Sequence, residues 1–226
     1  MANKIELVIF DCDGVVIDSE VLSARVLIDM LRDFNINIDM HYVQHHFLGC
    51  SFKSVSEKIA TAFEVNLPHQ FESDYRHTLI TMFAEHLQPT AGIKIILLNL
   101  NVPFCIATSS SLQRTQKALH AVKFDSLFAN IFTSEEVTLG KPAPDLFLHA
   151  ANQMGVLPQN CLVIEDSSAG IQAAISANMP VMYYFGGQHL EQGVNHVHIN
   201  FPEVALLDHW QSFFISHPEL KSKSLL

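Results

Sequence analysis

The sequence predicts an α/β fold: a parallel sheet core with helices on both faces, plus an inserted all-helical cap. Three observations predict it. From residue 92 onward, short apolar runs alternate with helical stretches, the pattern of a parallel sheet covered on both sides. The first apolar run, Ile5-Glu6-Leu7-Val8-Ile9-Phe10, reads as a buried strand, yet no further strand is predicted between residues 18 and 88. Three apolar runs also end in polar groups, at Asp11/Asp13, Thr108/Ser109/Ser110 and Glu165/Asp166. Open α/β sheets bind their ligands outside the carboxyl ends of the strands.

Each element follows from its own pattern. The first strand is predicted at about 4–10, followed by a helix over 20–34 with Val21, Ala24, Leu27, Ile28 and Leu31 on one face. Residues 39–47, 54–65 and 69–86 also read as helices, with Pro68 near one start. Pro89 and Gly92 then punctuate the chain. A helix is expected over 92–100, a strand over 103–108, a helix over 112–121 and a short strand at 131–133. A helix over 144–154 ends at Gly155, a strand runs over 161–164, a helix over 168–177 and a strand over 181–184. A last amphipathic helix, carrying Trp210, Phe213 and Phe214, is expected over 203–214, with a frayed tail from Lys221 to Leu226. The expected division is a core of residues 1–16 and 88–226 and a helical cap of residues 17–87.

Composition narrows the function classes. The 226 residues are 49% hydrophobic, enough for a sizeable core. Thirteen basic against 23 acidic residues give a net charge of −10, which repels nucleic-acid backbones and anionic lipid. Neither is an expected partner. A small phosphate ester remains compatible if a local cation receives it. The cysteines at 12, 50, 105 and 161 form no CxxC pair and read as buried free thiols of a reducing compartment. The N-terminus shows no signal-peptide pattern, and no apolar run approaches the ~20 residues that span a bilayer. A cytoplasmic monomer is expected. His41, His45 and His46 allow an i,i+4 pair, but without an HExxH pattern they read as a solvated face, and His196 and His198 as loop residues.

The strand ends carry the chemistry. Two acids and a glycine closing a central strand, as in Asp11-Cys12-Asp13-Gly14, are costly to bury unless paired or bound to metal. Asp11 fits a nucleophile or metal ligand, and Asp13 its acid/base neighbour. The carboxylates Asp11, Asp13, Glu165 and Asp166 offer hard oxygens suited to Mg2+. Thr108, Ser109 and Ser110 can cradle phosphate oxygens, and Lys141 in Gly140-Lys141-Pro142 supplies positive charge. Each alone has another reading: Asp11 or Asp166 as a helix cap or turn residue, the hydroxyls as caps, Lys141-Pro142 as a turn.

Together, these stretches resemble the four motifs of the haloacid dehalogenase-like hydrolase superfamily. Phe10-Asp11-Cys12-Asp13-Gly14-Val15-Val16-Ile17-Asp18-Ser19 resembles the first motif and Thr108 or Ser109 the second. Lys141 in Gly-Lys-Pro-Ala-Pro-Asp resembles the third, and Glu165-Asp166-Ser167-Ser168-Ala169-Gly170 the fourth. The likeness covers about residues 4–187 and implies a Rossmann-like core. The helical insert resembles the small cap of the β-phosphoglucomutase-like branch.

The resemblance implies that Asp11 attacks phosphorus to form an aspartyl-phosphate, while Asp13 protonates the leaving alcohol and later activates water. Mg2+ would be held by the Asp11 carboxylate, the Asp13 backbone carbonyl and Asp166, with Glu165 helping directly or through water. Lys141 would bridge Asp11 and phosphate; Thr108 and Ser109, with the Ser110 N–H, would hold the other oxygens. The cap loop near Leu48–Lys53 would choose the leaving group, making Gly49, Phe52 and Lys53 candidate substrate contacts. Haloacid dehalogenases and phosphonate hydrolases lack an acid at the Asp13 position, and P-type ATPases carry lysine where this chain has Cys12. Sugar-phosphate mutases carry a cap histidine where this chain has Ser23, and an arginine three residues after a cap glycine where it has Phe52. The expected activity is hydrolysis of a small sugar phosphate, as in bacterial phosphatases acting on substrates such as 6-phosphogluconate. A mutase and a catalytically retired phosphometabolite-binding module are the alternatives.

Overall fold

The structure is a computed structural model that describes residues 4–47, 52–187 and 200–223. Six strands form one all-parallel sheet in the order β3-β2-β1-β4-β5-β6: β1 (Leu7–Phe10), β2 (Phe104–Thr108), β3 (Ile131–Thr133), β4 (Cys161–Glu165), β5 (Val181–Tyr184) and β6 (Ala205–Leu207). The helices are α1 (Ser19–Arg32), α2 (Met40–His46), α3 (Phe52–Phe63), α4 (Phe71–His86), α5 (Ile93–Asn99), α6 (Leu112–Ala121), α7 (Asp145–Gln153), α8 (Ser168–Ser176) and α9 (Trp210–Ser216). Predicted bounds shift by a few residues, as at the first strand and at α3.

Because side chains alternate along a strand, the sheet feeds two separate apolar layers. Val8, Phe10, Ile106, Leu162 and Ile164 pack with Ile96 of α5, Leu119 of α6 and Trp210 and Phe213 of α9. Leu7, Ile9, Cys105, Ala107 and Val163 point the other way, onto Leu146 and Phe147 of α7 and Ala173 and Ala174 of α8. Burial on both faces explains why these strands read as continuous apolar runs. Cys12, Cys105 and Cys161 are buried free thiols.

Helices α1–α4 occupy the stretch between β1 and α5. Ala24, Leu27, Ile28 and Leu31 of α1 meet Val43, Phe47, Val55, Ile59 and Phe71 in a third apolar cluster. Val21, expected on that face, is half-buried, and Leu22 and Val26 are buried instead. The chain enters and leaves this helical stretch through a paired neck. Asp18 N–H donates to Gln88 O at 2.9 Å, Thr90 N–H to Val16 O at 3.1 Å, and Ile17 bridges Pro89. Thr90 Oγ1 donates to Val15 O at 2.5 Å and accepts from Trp210 Nε1 at 2.9 Å, so a buried hydroxyl ties the neck to α9.

Two expectations are corrected. Residues 203–214 are not one helix: Ala205–Leu207 is an edge strand pairing with Met182–Tyr184, and the helix begins only at Trp210. Three residues are too few for a period of two to separate from a helical turn. The tail is not frayed from Lys221: Lys221 bridges Leu100, Ser222 N–H donates to Asn99 O at 2.7 Å, and Leu220 is buried. Among the described residues, no helix is long and apolar enough to cross a membrane.

Candidate active site

Three strand ends converge on one edge of the sheet. Asp11 follows the last residue of β1, and its N–H donates to Ile164 O of β4 at 2.9 Å. Glu165 closes β4 and Thr108 closes β2. Lys141 lies in the loop after β3, with a cis Lys141–Pro142 peptide and a turn closed by Ala143 N–H to Gly140 O.

Lys141 links the first group of side chains. Its ammonium donates to Asp11 Oδ1 at 2.5 Å, Glu165 Oε1 at 2.8 Å and Ala107 O at 3.0 Å, and lies over the Phe147 ring at 4.8 Å. Glu165 Oε2 accepts from the Ser167 N–H at 2.7 Å and its hydroxyl at 2.9 Å. Asp11, Glu165 and Asp166 each bring a carboxylate oxygen within 4.8 Å of the others. Burial pushes the Asp11 carboxyl well above the ordinary carboxylate range; Lys141 opposes this, while Glu165 and Asp166 add to it. Asp166 is raised by burial and by Glu165. Burial disfavours the Lys141 charge, but Asp11 and Glu165 outweigh it and raise its pKa.

This group suits a divalent cation. Three carboxylates face one ammonium, the donors are hard oxygens, and burial leaves the excess negative charge poorly solvated. Gly170 completes the pocket: a Cβ there would lie 1.7 Å from Glu165 Oε1, so only glycine leaves the carboxylate room.

Asp13 belongs to a second group. After β1 the chain turns at Gly14, whose φ of 79° is left-handed, and folds back so that Gly14 N–H reaches Ile17 O at 2.8 Å. This brings Ser19 to Asp13. Ser19 Oγ donates to Asp13 Oδ1 at 2.5 Å, while Ser110 Oγ at 2.7 Å and Arg114 at 2.5 Å donate to Oδ2. Arg114 also donates to Ser110 Oγ. Burial pushes the Asp13 carboxyl up, but the Arg114 charge and the hydrogen bonds from Arg114, Ser19 and Ser110 outweigh it, so its pKa is lowered.

The ambiguous hydroxyls sort themselves. The caps of α6 and α8 are Ser111, accepting from Arg114 N–H, and Ser167, accepting from Gly170 N–H. Neither the Thr108–Ser110 hydroxyls nor Asp166 fills those positions. Thr108 is buried and its Oγ1 accepts from the Ser110 N–H at 3.1 Å; Ser109 is exposed. Arg114 is the residue that sequence reasoning missed.

Gly49 falls outside the described residues, as do Cys50, His196 and His198. Phe52 packs against Phe71 and Tyr75, and Lys53 is exposed with Glu57 at 4.0 Å. No described contact joins either to Asp11 or Asp13. His41 and His45 are exposed and their rings lie 4.0 Å apart.

A family model described as haloacid dehalogenase-like hydrolase matches residues 8–184. The 6-phosphogluconate phosphatase of Escherichia coli K12 is 30% identical over 189 residues, covering 83% of this chain and 86% of the relative. The β-phosphoglucomutase of Bacillus subtilis 168 is 30% identical over 182 residues, covering 76% and 80%. The crystal structure of a haloacid dehalogenase-like protein of unknown function from Agrobacterium tumefaciens C58 superposes with a TM-score of 0.86 at 28% identity, covering 95% of this chain and 98% of the other.

Proposed function

The chain belongs to the haloacid dehalogenase-like hydrolase family, and from that premise we propose a Mg2+-dependent phosphatase that hydrolyses a small sugar phosphate through an aspartyl-phosphate on Asp11. The observation that carries this reading is the placement of Asp11: buried at the end of an interior strand, on the Lys141 ammonium, beside Glu165 and Asp166.

An Asp11 carboxylate oxygen attacks phosphorus, and the bond to the ester oxygen breaks with its electron pair on that oxygen. For this step Asp13 first takes up a proton, against the Arg114 charge that lowers its pKa; it gives that proton to the ester oxygen, and the alcohol leaves. Asp13, now a carboxylate, takes a proton from water as the hydroxyl oxygen attacks phosphorus. The Asp11–phosphorus bond breaks, releasing inorganic phosphate and the free carboxylate. Lys141 screens Asp11 from the incoming dianion by holding both. The Thr108 and Ser109 hydroxyls and the Ser110 N–H hold the remaining phosphate oxygens. The Asp11 and Asp166 carboxylates and the Asp13 backbone carbonyl would hold Mg2+, with Glu165 supporting them. When bound, Mg2+ supplies the positive charge that offsets repulsion between nucleophile and phosphate. Residues 17–87 act as the cap over a core of residues 1–16 and 88–226, and cap closure excludes bulk water.

Likeness to a mutase gives a second reading. Against it, Ser23 stands where mutases carry a histidine, Phe52 where they carry an arginine, and Phe52 is packed among aromatic rings. The test is phosphate release from a panel of sugar phosphates, 6-phosphogluconate among them, with Mg2+ and after EDTA. Release that EDTA stops and Mg2+ restores is expected. Isomer interconversion dependent on a bisphosphate would turn the reading to the mutase, and tight binding without release to a retired sensor.

A further inference from the structure

Arg114 makes and breaks no bond in the reaction described above, yet it is among the most constrained cations of the chain. Its side chain is 15% exposed, and the Asp13 side chain that it meets at 2.5 Å is 16% exposed. A buried guanidinium is costly to desolvate unless its donors are met in good geometry. Here one donor nitrogen serves both Asp13 Oδ2 and Ser110 Oγ. The guanidinium carbon lies 5.3 Å from the centre of the Phe83 ring, and Phe83 is a buried residue of α4. The planar group is therefore fixed from two sides, by a hydrogen-bonded carboxylate on the core and by an aromatic ring on the helical insert. Ser19 takes the other Asp13 oxygen. Both oxygens of Asp13 thus have partners, and among the described residues the charged group hydrogen-bonded to it is Arg114.

We propose that Arg114 is the positioning residue for Asp13: held against Phe83 of α4, it sets the direction in which the Asp13 carboxyl group faces the ester oxygen. This rests on the reading of Asp13 as the acid/base group. Arg114 touches neither phosphorus nor nucleophile; it meets Asp13 directly and through the Ser110 hydroxyl. Its contribution therefore follows the leaving group. An alkyl phosphate releases an alkoxide and requires the proton; 4-nitrophenyl phosphate releases a stable phenolate and requires it far less.

The test compares initial turnover of an alkyl sugar phosphate with the pre-steady-state release of 4-nitrophenolate, in the Mg2+-loaded full chain, for Arg114→Met, Arg114→Lys and Asp13→Asn. General acid catalysis is worth about 10²–10⁴-fold. Arg114→Met is expected to lower alkyl kcat by about 10²-fold with little change in KM, and nitrophenolate release by at least ten times less. Arg114→Lys should lie between, because an ammonium restores the charge but not the planar fork that meets Asp13 and Ser110 beside the Phe83 ring. If Arg114→Met does not fold, the split in Arg114→Lys decides. Equal losses on both esters, or no loss on either, would overturn the proposal. Asp13→Asn separates the two failures: if it too shows no split, the acid/base reading of Asp13 is what fails; if it shows the split and the Arg114 variants do not, Arg114 alone is excluded.

Discussion

Asp11 faces Lys141, Glu165 and Asp166 across the ends of β1 and β4; Asp13, two residues on, faces Ser19, Ser110 and Arg114. The first group has more negative charge than its lysine can neutralise, and its buried carboxyls are pushed up. The second pairs one carboxylate with one guanidinium and two hydroxyls, and its pKa falls. One turn of chain through Gly14 produces both. Two acids of the same type are thereby given different work: one waits for a cation, the other already has one.

The largest test removes one side of the comparison. Asp11→Asn is expected to reduce turnover of every ester by on the order of 10⁴-fold or more, with the fold retained, as followed by phosphate release and circular dichroism. Full activity would end the nucleophile assignment. Asp13→Asn, by contrast, should discriminate between esters.

A second test uses the opposed shifts. Folded Asp11 and Asp166 bind protons more tightly than in the unfolded chain, so the metal-free fold gains stability as pH falls through their raised values. Asp13 acts oppositely: its stabilisation is present above the unfolded carboxylate pKa and is lost as pH falls through its lowered folded value. Mg2+ requires the ionised form of the first group. At a concentration about 100 times its Kd, Mg2+ should raise Tm by roughly 5–10 °C at pH 8. That increment should shrink towards pH 5, as measured by thermal melts of EDTA-treated protein. An increment independent of pH would place the ion elsewhere.

The smallest effect is expected at the support of the first group. Gly170→Ala drives a methyl into Glu165 and should cost about 1–3 kcal/mol, lowering Tm by about 2–4 °C per kcal/mol. The Mg2+ increment should fall with it, while the Asp13–Arg114 group stays intact. An unchanged melt would show that Glu165 has room to move.

Much of this was legible in the sequence because its signals are local. An apolar run ending in two acids, or in hydroxyls, states both the strand and the chemistry at its end. The parallel sheet and the convergence of Asp11, Thr108, Lys141 and Glu165 follow from those runs. Arg114 was not legible, because its partner Asp13 lies 101 residues away and an arginine in the first turn of α6 looks like any solvated one. The available hint was that Ser111 already caps α6, leaving Ser110 for another use. The edge strand Ala205–Leu207 was hidden by its shortness, and the ordered tail by contacts with Asn99–Asn101 that no local pattern announces.

The neck at Ile17 and Pro89 has a consequence for how such a chain can diversify. Its two strands leave and rejoin the core side by side, so everything between them is, to the sheet, a single loop closed at a hydrogen-bonded doorway. The entropy of closing a loop rises only with the logarithm of its length. Helices on the far side of that doorway can lengthen, shorten or change their lining at little expense to the register of β1 against β2 and β4. On the proposed reading these helices meet the alcohol, and preference for an ester can drift while the strand-end acids stay where they are, provided that the contact of Phe83 in α4 with Arg114 is kept.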